Sequence, residues 1–304
     1  MFKFGFEQSN EGSSTDVPTT EPAAIPCATH GIDIILRDCP RISFSRFAIN
    51  GEDLPRRDFF DVRYQLMAKD ELENQEQILL GTEDVRKNVY EGGIKVWEGA
   101  NDLAKVLLDH THVDRFDVLE LGCGAAVPAC FLLYHAFKTG KPGRFVLADY
   151  NEAVLRLVTV PNCILAWMAA TSRLPDSSEI NITSQLVAEF TEALAAADIN
   201  LTLISGGWSE EFSRLSGGPF GLVLASETIY SLDSLDSFCA VLEAALGSNG
   251  LGLVAAKKVY FGVGGGIVEF QNRLNLLGLR YELLATTGNV GRVVISVTPK
   301  LLGN

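Results

Sequence analysis

Residues 118–125 read Val118-Leu119-Glu120-Leu121-Gly122-Cys123-Gly124-Ala125, and the reading of this stretch decides the fold. An apolar run stops at Gly-x-Gly, and an amphipathic helical pattern starts at about Ala126. Strand, glycine turn and helix form the opening unit of an open α/β sheet, whose ligands bind beyond the carboxyl ends of the strands. Glycine at 122 and 124 allows a tight turn and close approach of a ligand to the backbone. The spacing is GxGxxV, so the dinucleotide pattern GxGxxG is not matched, and no GxxxxGK[ST] loop occurs. Glu120, at the end of the strand, is expected to face the ligand, with Gly122, Cys123 and Gly124 beside it.

Outward from this unit, apolar strands alternate with helices. Strands are expected at 117–121, 144–148, 200–205, 221–226, 250–256, 280–285 and 292–298. Helices are expected at 101–110, 126–139, 152–170, 184–197, 235–246 and 267–277. Such alternation predicts a buried, mostly parallel sheet covered on both faces. Only a turn (TTGNVG) separates the last two strands, so the final pair is antiparallel. Residues 171–199 are long for one connection and read as an insertion with its own helix. At the other end, 1–30 read as a flexible Ser/Thr/Pro-rich tail. Residues 31–90 read as an extension that packs on the core, with a strand or hairpin in 31–50 and a helix in 56–80.

Polar groups recur at the strand ends. Asp149-Tyr150-Asn151 follows the second strand. Asp149 can accept hydrogen bonds from a ribose or cap the helix that starts at Glu152. Ser205-Gly206-Gly207-Trp208 follows the third strand, with Trp208 either covering a flat ring or lying in the core. Ser226-Glu227-Thr228-Ile229-Tyr230 follows the fourth and can also be read as a helix start. Upstream, residues 90–100 can fold over the ligand as a lid, with Trp97 and Glu98 turned inward. Downstream, GVGGG at 262–266 can approach something closely or move.

Composition narrows the function classes. The net charge of −13 argues against unspecific nucleic-acid binding, and 47% hydrophobic residues supply a packed core. Residues 251–304 are the one basic region, with six basic and two acidic side chains. The six cysteines show no CxxC spacing and the four histidines no HExxH, so neither metal nor disulfide is expected. No run of 18 apolar residues predicts a membrane span, and no apolar stretch follows a basic start as in a secretory signal. The expected location is the cytoplasm.

The motifs EGGIKVWEGANDL (91–103), VLELGCGAAVP (118–128), LADYNEAVL (147–155) with VTVPN (158–162), SGGWSE (205–210), ASETIY (225–230) and KVYFGVGGG (258–266) stand in an order that is familiar. Over residues 54–300 the sequence resembles the protein-histidine N-methyltransferases of the seven-strand, S-adenosylmethionine-dependent class; FKFGF at 2–6 is also family-like. The resemblance implies a class I methyltransferase fold, Rossmann-like, in 91–304: seven mostly parallel strands with an antiparallel last strand, and helices on both faces. It implies S-adenosylmethionine contacts at Val96, Trp97, Glu98, Gly99, Ala100, Gly122, Asp149, Tyr150, Asn151, Gly206, Gly207, Trp208 and Ser226, and S-adenosylhomocysteine as product. It further implies a protein substrate, a large-subunit ribosomal protein, with contact to ribosomes or their precursors and a nuclear location beside the cytoplasmic one. Glu120 stands where Asp is frequent, and Gly207 where an acid is frequent, so a side-chain contact at 207 is lost. The catalytic candidates are Glu227, to accept the second ring N–H of the acceptor imidazole, and Tyr230, as a wall or hydrogen-bond partner. Two alternatives stand beside this reading. A lysine methyltransferase of the same class must deprotonate its acceptor and would show a rate that climbs above neutral pH. A silent module that binds a ribosomal partner through the basic C-terminal segment would bind cofactor without turnover, or bind no cofactor at all.

Overall fold

The computed structural model describes residues 24–37, 39–69, 71–80, 89–260, 264–287 and 291–300. Residues 1–23 of the expected tail, 81–88 of the extension, 261–263 of the glycine-rich loop and 288–290 of the last turn lie outside the described residues.

In chain order, a short strand β1 (Ala28–His30) and a 3₁₀ turn (Ile32–Arg37) lead to the hairpin β2 (Arg41–Ile49) and β3 (Glu52–Arg57). Helices α1 (Phe59–Met67) and α2 (Asn74–Leu79) complete the extension. Next come α3 (Glu98–Val106), β4 (Phe116–Leu121), α4 (Val127–Thr139) and β5 (Gly143–Asp149). A long helix follows as α5 (Glu152–Val154), a π-type turn (Leu155–Thr159) and α6 (Val160–Ala170). The chain continues through β6 (Glu179–Asn181), α7 (Ser184–Ala196), β7 (Ile199–Ser205), α8 (Glu210–Ser216), β8 (Leu222–Ser226) and α9 (Leu232–Leu246). It ends in β9 (Leu251–Lys257), α10 (Ile267–Leu277), β10 (Arg280–Thr287) and β11 (Arg292–Thr298).

The central sheet runs β1-β7-β5-β4-β8-β9-β11-β10. Strands β7, β5, β4, β8 and β9 are parallel, and β11 runs antiparallel between β9 and β10. This is the class I methyltransferase order, as the alternation and the resemblance lead one to expect. The sheet is buried on both faces. Phe131, Leu132 and Trp167 lie in the core on one face; Phe212, Phe238 and Phe270, from α8, α9 and α10, lie in the core on the other.

Two expectations are corrected, and two gain detail. Residues 28–30 belong to the sheet: β1 pairs antiparallel with β7, with Ala28 opposite Ser205. The helix read over 56–80 is two helices, because β3 already takes 52–57, α1 ends at Met67 and α2 begins only at Asn74. The stretch 31–50 supplies a strand, β2, one of the two forms expected; its hairpin partner lies beyond Asn50-Gly51, where both residues adopt positive φ (51° and 83°). The insertion carries its own helix, α7, as expected. Its strand β6 pairs with β2, making a second sheet β3-β2-β6 that ties extension to core. Helix 152–170 is long and apolar enough to cross a membrane by composition, but 89% of it is buried within the fold, where it is the central core helix.

Candidate active site

Every parallel strand delivers its last residue to one edge of the sheet, and the chemistry gathers there. After β4 the chain turns through Gly122 (φ 62°), Gly124 (φ 49°) and Ala126 (φ 50°), so three residues adopt the left-handed region within five positions. A Cβ on Gly122 would come within 2.9 Å of Thr228 Cγ2 and 3.9 Å of Trp208 Cζ2. A Cβ on Gly124 would come within 2.8 Å of the Gly93 carbonyl, so the 92–93 turn lies directly on the glycine turn. Thr159 Oγ1 donates to the Gly124 carbonyl at 2.6 Å, and the Cys123 amide donates to the Ala148 carbonyl at 2.8 Å.

Asp149 lies at the heart of this edge. Its Oδ2 accepts from the Gly124 amide at 2.9 Å and its Oδ1 from the Asn151 amide at 3.1 Å. Burial pushes its pKa up to about 6 against those two amides. It does not cap the helix at Glu152, where Asn151 is the N-cap residue. A carboxylate held by two amides keeps lone pairs for further donors, which is what the hydroxyls of a ribose supply. Asn151 itself serves the lid: its amide nitrogen donates to the Val89 carbonyl at 2.8 Å, and its oxygen faces the Glu91 amide at 3.4 Å.

Glu120 departs from the expectation of a ligand contact. It is 1% exposed, lies beneath the turn and accepts from the Ala129 amide at 2.9 Å, in the first turn of α4. Burial pushes its pKa up to about 8. Its role is to tether the start of α4 under the glycine turn. Glu98 also departs: its side chain is 71% exposed and pairs with Arg292, so it does not turn inward. Trp97 is half-buried, donates Nε1–H to the Gly92 carbonyl at 3.1 Å and carries Lys95 and Lys257 over its ring at 4.9 and 5.6 Å. Val96 and Ala100 flank it, both partly buried. Trp208 leans on Phe238 at 5.2 Å between ring centroids, so one face of the indole belongs to the core.

The most unusual residues follow β8. Glu227 adopts φ 57°, a strained conformation for a non-glycine residue and one that clusters at functional sites. Ser226 Oγ, Glu227 Oε1 and Thr228 Oγ1 are three consecutive side-chain groups, all buried and none with a regular hydrogen bond to the described residues. Buried polar atoms are almost always paired, so three in a row mark a place where ligand or substrate completes the bonds. Oε1 lies against the Gly99 backbone without a regular hydrogen bond; a Cβ there would come within 2.7 Å of it. Oε2 accepts from the Tyr260 hydroxyl, which in turn accepts from the Lys257 amide at 3.1 Å. Burial raises the Glu227 pKa, opposed by the Tyr260 hydrogen bond, the charges of Lys257 and Arg292 and the Gly99 amide. Arg292 is held by Asp102 at 2.7 Å. Tyr230 packs edge-on to Tyr260 at 6.3 Å, so Tyr260, and not Tyr230, is the residue that holds Glu227. The motif KVYFGVGGG pointed to this loop, but a lone tyrosine in it carries no spacing that would single it out.

The donor set fits S-adenosylmethionine: a glycine turn with no room for side chains, an acid at the end of β5, and unpaired hydroxyls opposite. Residues Gly122 to Gly124, Asp149 and Ser226 would hold it, with Gly206 (φ 108°) and Gly207 offering backbone at the next strand end. No family model matches the sequence. Curated relatives do. Histidine protein methyltransferase 1 of Schizosaccharomyces pombe is 37% identical over 314 residues, covering 97% of this chain and 92% of that one. The Saccharomyces cerevisiae protein of the same name is 38% identical over 278 residues, covering 77% and 72%. A homologue from Dictyostelium discoideum is 30% identical over 231 residues, covering 73% and 63%. Among solved structures, a TehB-like SAM-dependent methyltransferase from Corynebacterium glutamicum aligns at TM-score 0.39 and 13% identity over 68% of this chain and 89% of that one. With a yeast relative matched along nearly its whole length, the chain belongs to the histidine protein methyltransferase family.

Proposed function

We propose that the chain methylates a histidine of a large-subunit ribosomal protein, in the cytoplasm and on precursors in the nucleus, with Glu227 as the catalytic carboxylate. The observation that carries the catalytic part is the buried Oε1 of Glu227, which meets only the Gly99 backbone and stands between two hydroxyls that have no hydrogen-bond partner among the described residues. S-adenosylmethionine brings an activated methyl group on a sulfonium, so the protein's part is positioning and charge. A neutral imidazole already offers a lone pair near pH 7 and needs no strong base. Oε1 of Glu227 would accept the N–H of the second ring nitrogen. That fixes the tautomer, leaves the other nitrogen free to attack, and stabilises the positive charge that develops on the ring. Tyr260 holds the opposite oxygen and keeps the carboxylate aimed. Gly99 leaves the space in which Oε1 sits.

Support for the ribosomal substrate is the family resemblance of the motifs and the charge: a chain of net −13 suits a basic, RNA-bound partner. The test is labelled methyl transfer from S-adenosylmethionine into ribosomes from cells lacking this protein, followed by amino-acid analysis of the labelled band. Label in methylhistidine from a large-subunit protein is the expected result. Methyllysine, a small-subunit band or no label overturns the reading.

A further inference from the structure

We infer that Ala24–His30 is a built part of the cofactor site, a strap that frames the end where the adenine nucleoside binds. Pairing of β1 with β7 would by itself be the covering of an open sheet edge. The register carries the chain further. Ala28 is opposite Ser205, the last residue of β7, so residues 24–27 run past the end of the strand and onto the loop beyond it. There the Ile25 carbonyl accepts from the Gly207 amide at 2.9 Å, and the Cys27 thiol donates to the Gly207 carbonyl at 2.8 Å. The Ile25 amide donates to the Tyr150 hydroxyl at 3.0 Å, which belongs to the neighbouring loop after β5. His30 Nε2 lies 2.7 Å from Ser205 Oγ. Gly206 has no room for a side chain, because a Cβ would come within 2.5 Å of the Pro26 carbonyl.

The strap therefore bridges two loops, 149–151 and 206–208, that offer respectively the ribose acid and the open glycine backbone. A Gly-Gly pair has the largest backbone freedom to lose on ordering. With Gly207 bonded at both its amide and its carbonyl, that loss is already met before the nucleoside arrives, so the strap strengthens binding through pre-organisation. Ile25 and Pro26 also add apolar surface beside the loops.

The inference rests on the assignment of S-adenosylmethionine to this cleft; if that fails, the full chain binds no S-adenosylhomocysteine at all. The experiment measures S-adenosylhomocysteine binding by calorimetry for three chains, the full chain, one beginning at Ala24 and one beginning at Gly31, with circular dichroism to show that all three fold. In parallel, iodoacetamide modification of Cys27 is followed in the full chain; Cys27 is the half-exposed cysteine and the other five are buried. The shortest chain is expected to bind about tenfold more weakly, the size of a typical ordering cost. Saturating S-adenosylhomocysteine is expected to slow Cys27 modification several-fold, a readout that does not depend on the shortest chain folding. Equal affinities of the two truncated, folded chains, tighter binding by the shorter one, or a modification rate unchanged by ligand overturns the inference.

Discussion

At the scale of the residue, function turns on carboxylates whose surroundings set them apart. Glu227 is strained, buried and half-satisfied, whereas Glu120 is buried but bonded to a helix amide. Replacing Glu227 by Gln keeps the shape but loses the charge that stabilises the ring; kcat is expected to fall by about 10²-fold, with S-adenosylhomocysteine affinity within about twofold in calorimetry. Tyr260→Phe removes the hydrogen bond that lowers the Glu227 pKa. The carboxylate then forms only at higher pH, so the acid limb of the rate profile should move to higher pH; an unchanged limb would show that Tyr260 is only packing. Glu120 predicts a dependence of stability on pH. Its proton is lost near pH 4.5 when unfolded and near 8 when folded, so between these values the native state holds more protons and stability falls as pH rises. Glu120→Gln should flatten this decline in thermal melts of the cofactor-free protein taken from pH 5 to 8.

At the scale of the element, each strand-to-helix connection is shaped by what cannot fit in it. Gly122→Arg would force an L side chain to φ 62° and into the space bordered by Thr228 and Trp208. The backbone cost alone is about 1–2 kcal/mol, and the filled space should abolish S-adenosylmethionine binding in calorimetry while the circular dichroism spectrum stays native. The strands themselves were legible from their apolar runs, because a strand buried on both faces leaves no polar face to confuse the pattern. Helix α10 is found where its period predicts. Helix α3 begins earlier than its pattern suggests, at Glu98, because Trp97 takes the N-cap position through tertiary contacts with Gly92, Lys95 and Lys257.

At the scale of the molecule, the extension is joined to the core by a buried charge network. Arg156 sits in the π-type turn with its side chain fully buried, 3.1 Å from Glu76 of α2, itself fully buried and bonded to Lys69 at 2.8 Å. Glu73 and Glu152 lie farther, at 3.8 and 3.6 Å. Glu76→Ala leaves the guanidinium buried without its nearest carboxylate among the described residues, so denaturant unfolding should show a loss of about 3–5 kcal/mol. A loss within error would mean that Glu73 and Glu152 replace it.

What the sequence determined by itself was everything that repeats locally: the alternation of buried strands and helices, the reversed final pair, the glycine turn and the polar strand ends. These follow from hydrophobic period and from the conformations only glycine adopts readily, both of which act over a few residues. Tertiary structure alone decided which polar groups face the cleft. Glu120 and Glu98 are carboxylates in the right motifs, yet one bonds Ala129 and the other Arg292, 194 positions away. Tyr260 reaches Glu227 across 33 positions, and the strap reaches Gly207 across about 180. Hydrogen bonds between such distant residues depend on how helices and loops pack around the sheet, and packing leaves no periodic trace in the chain.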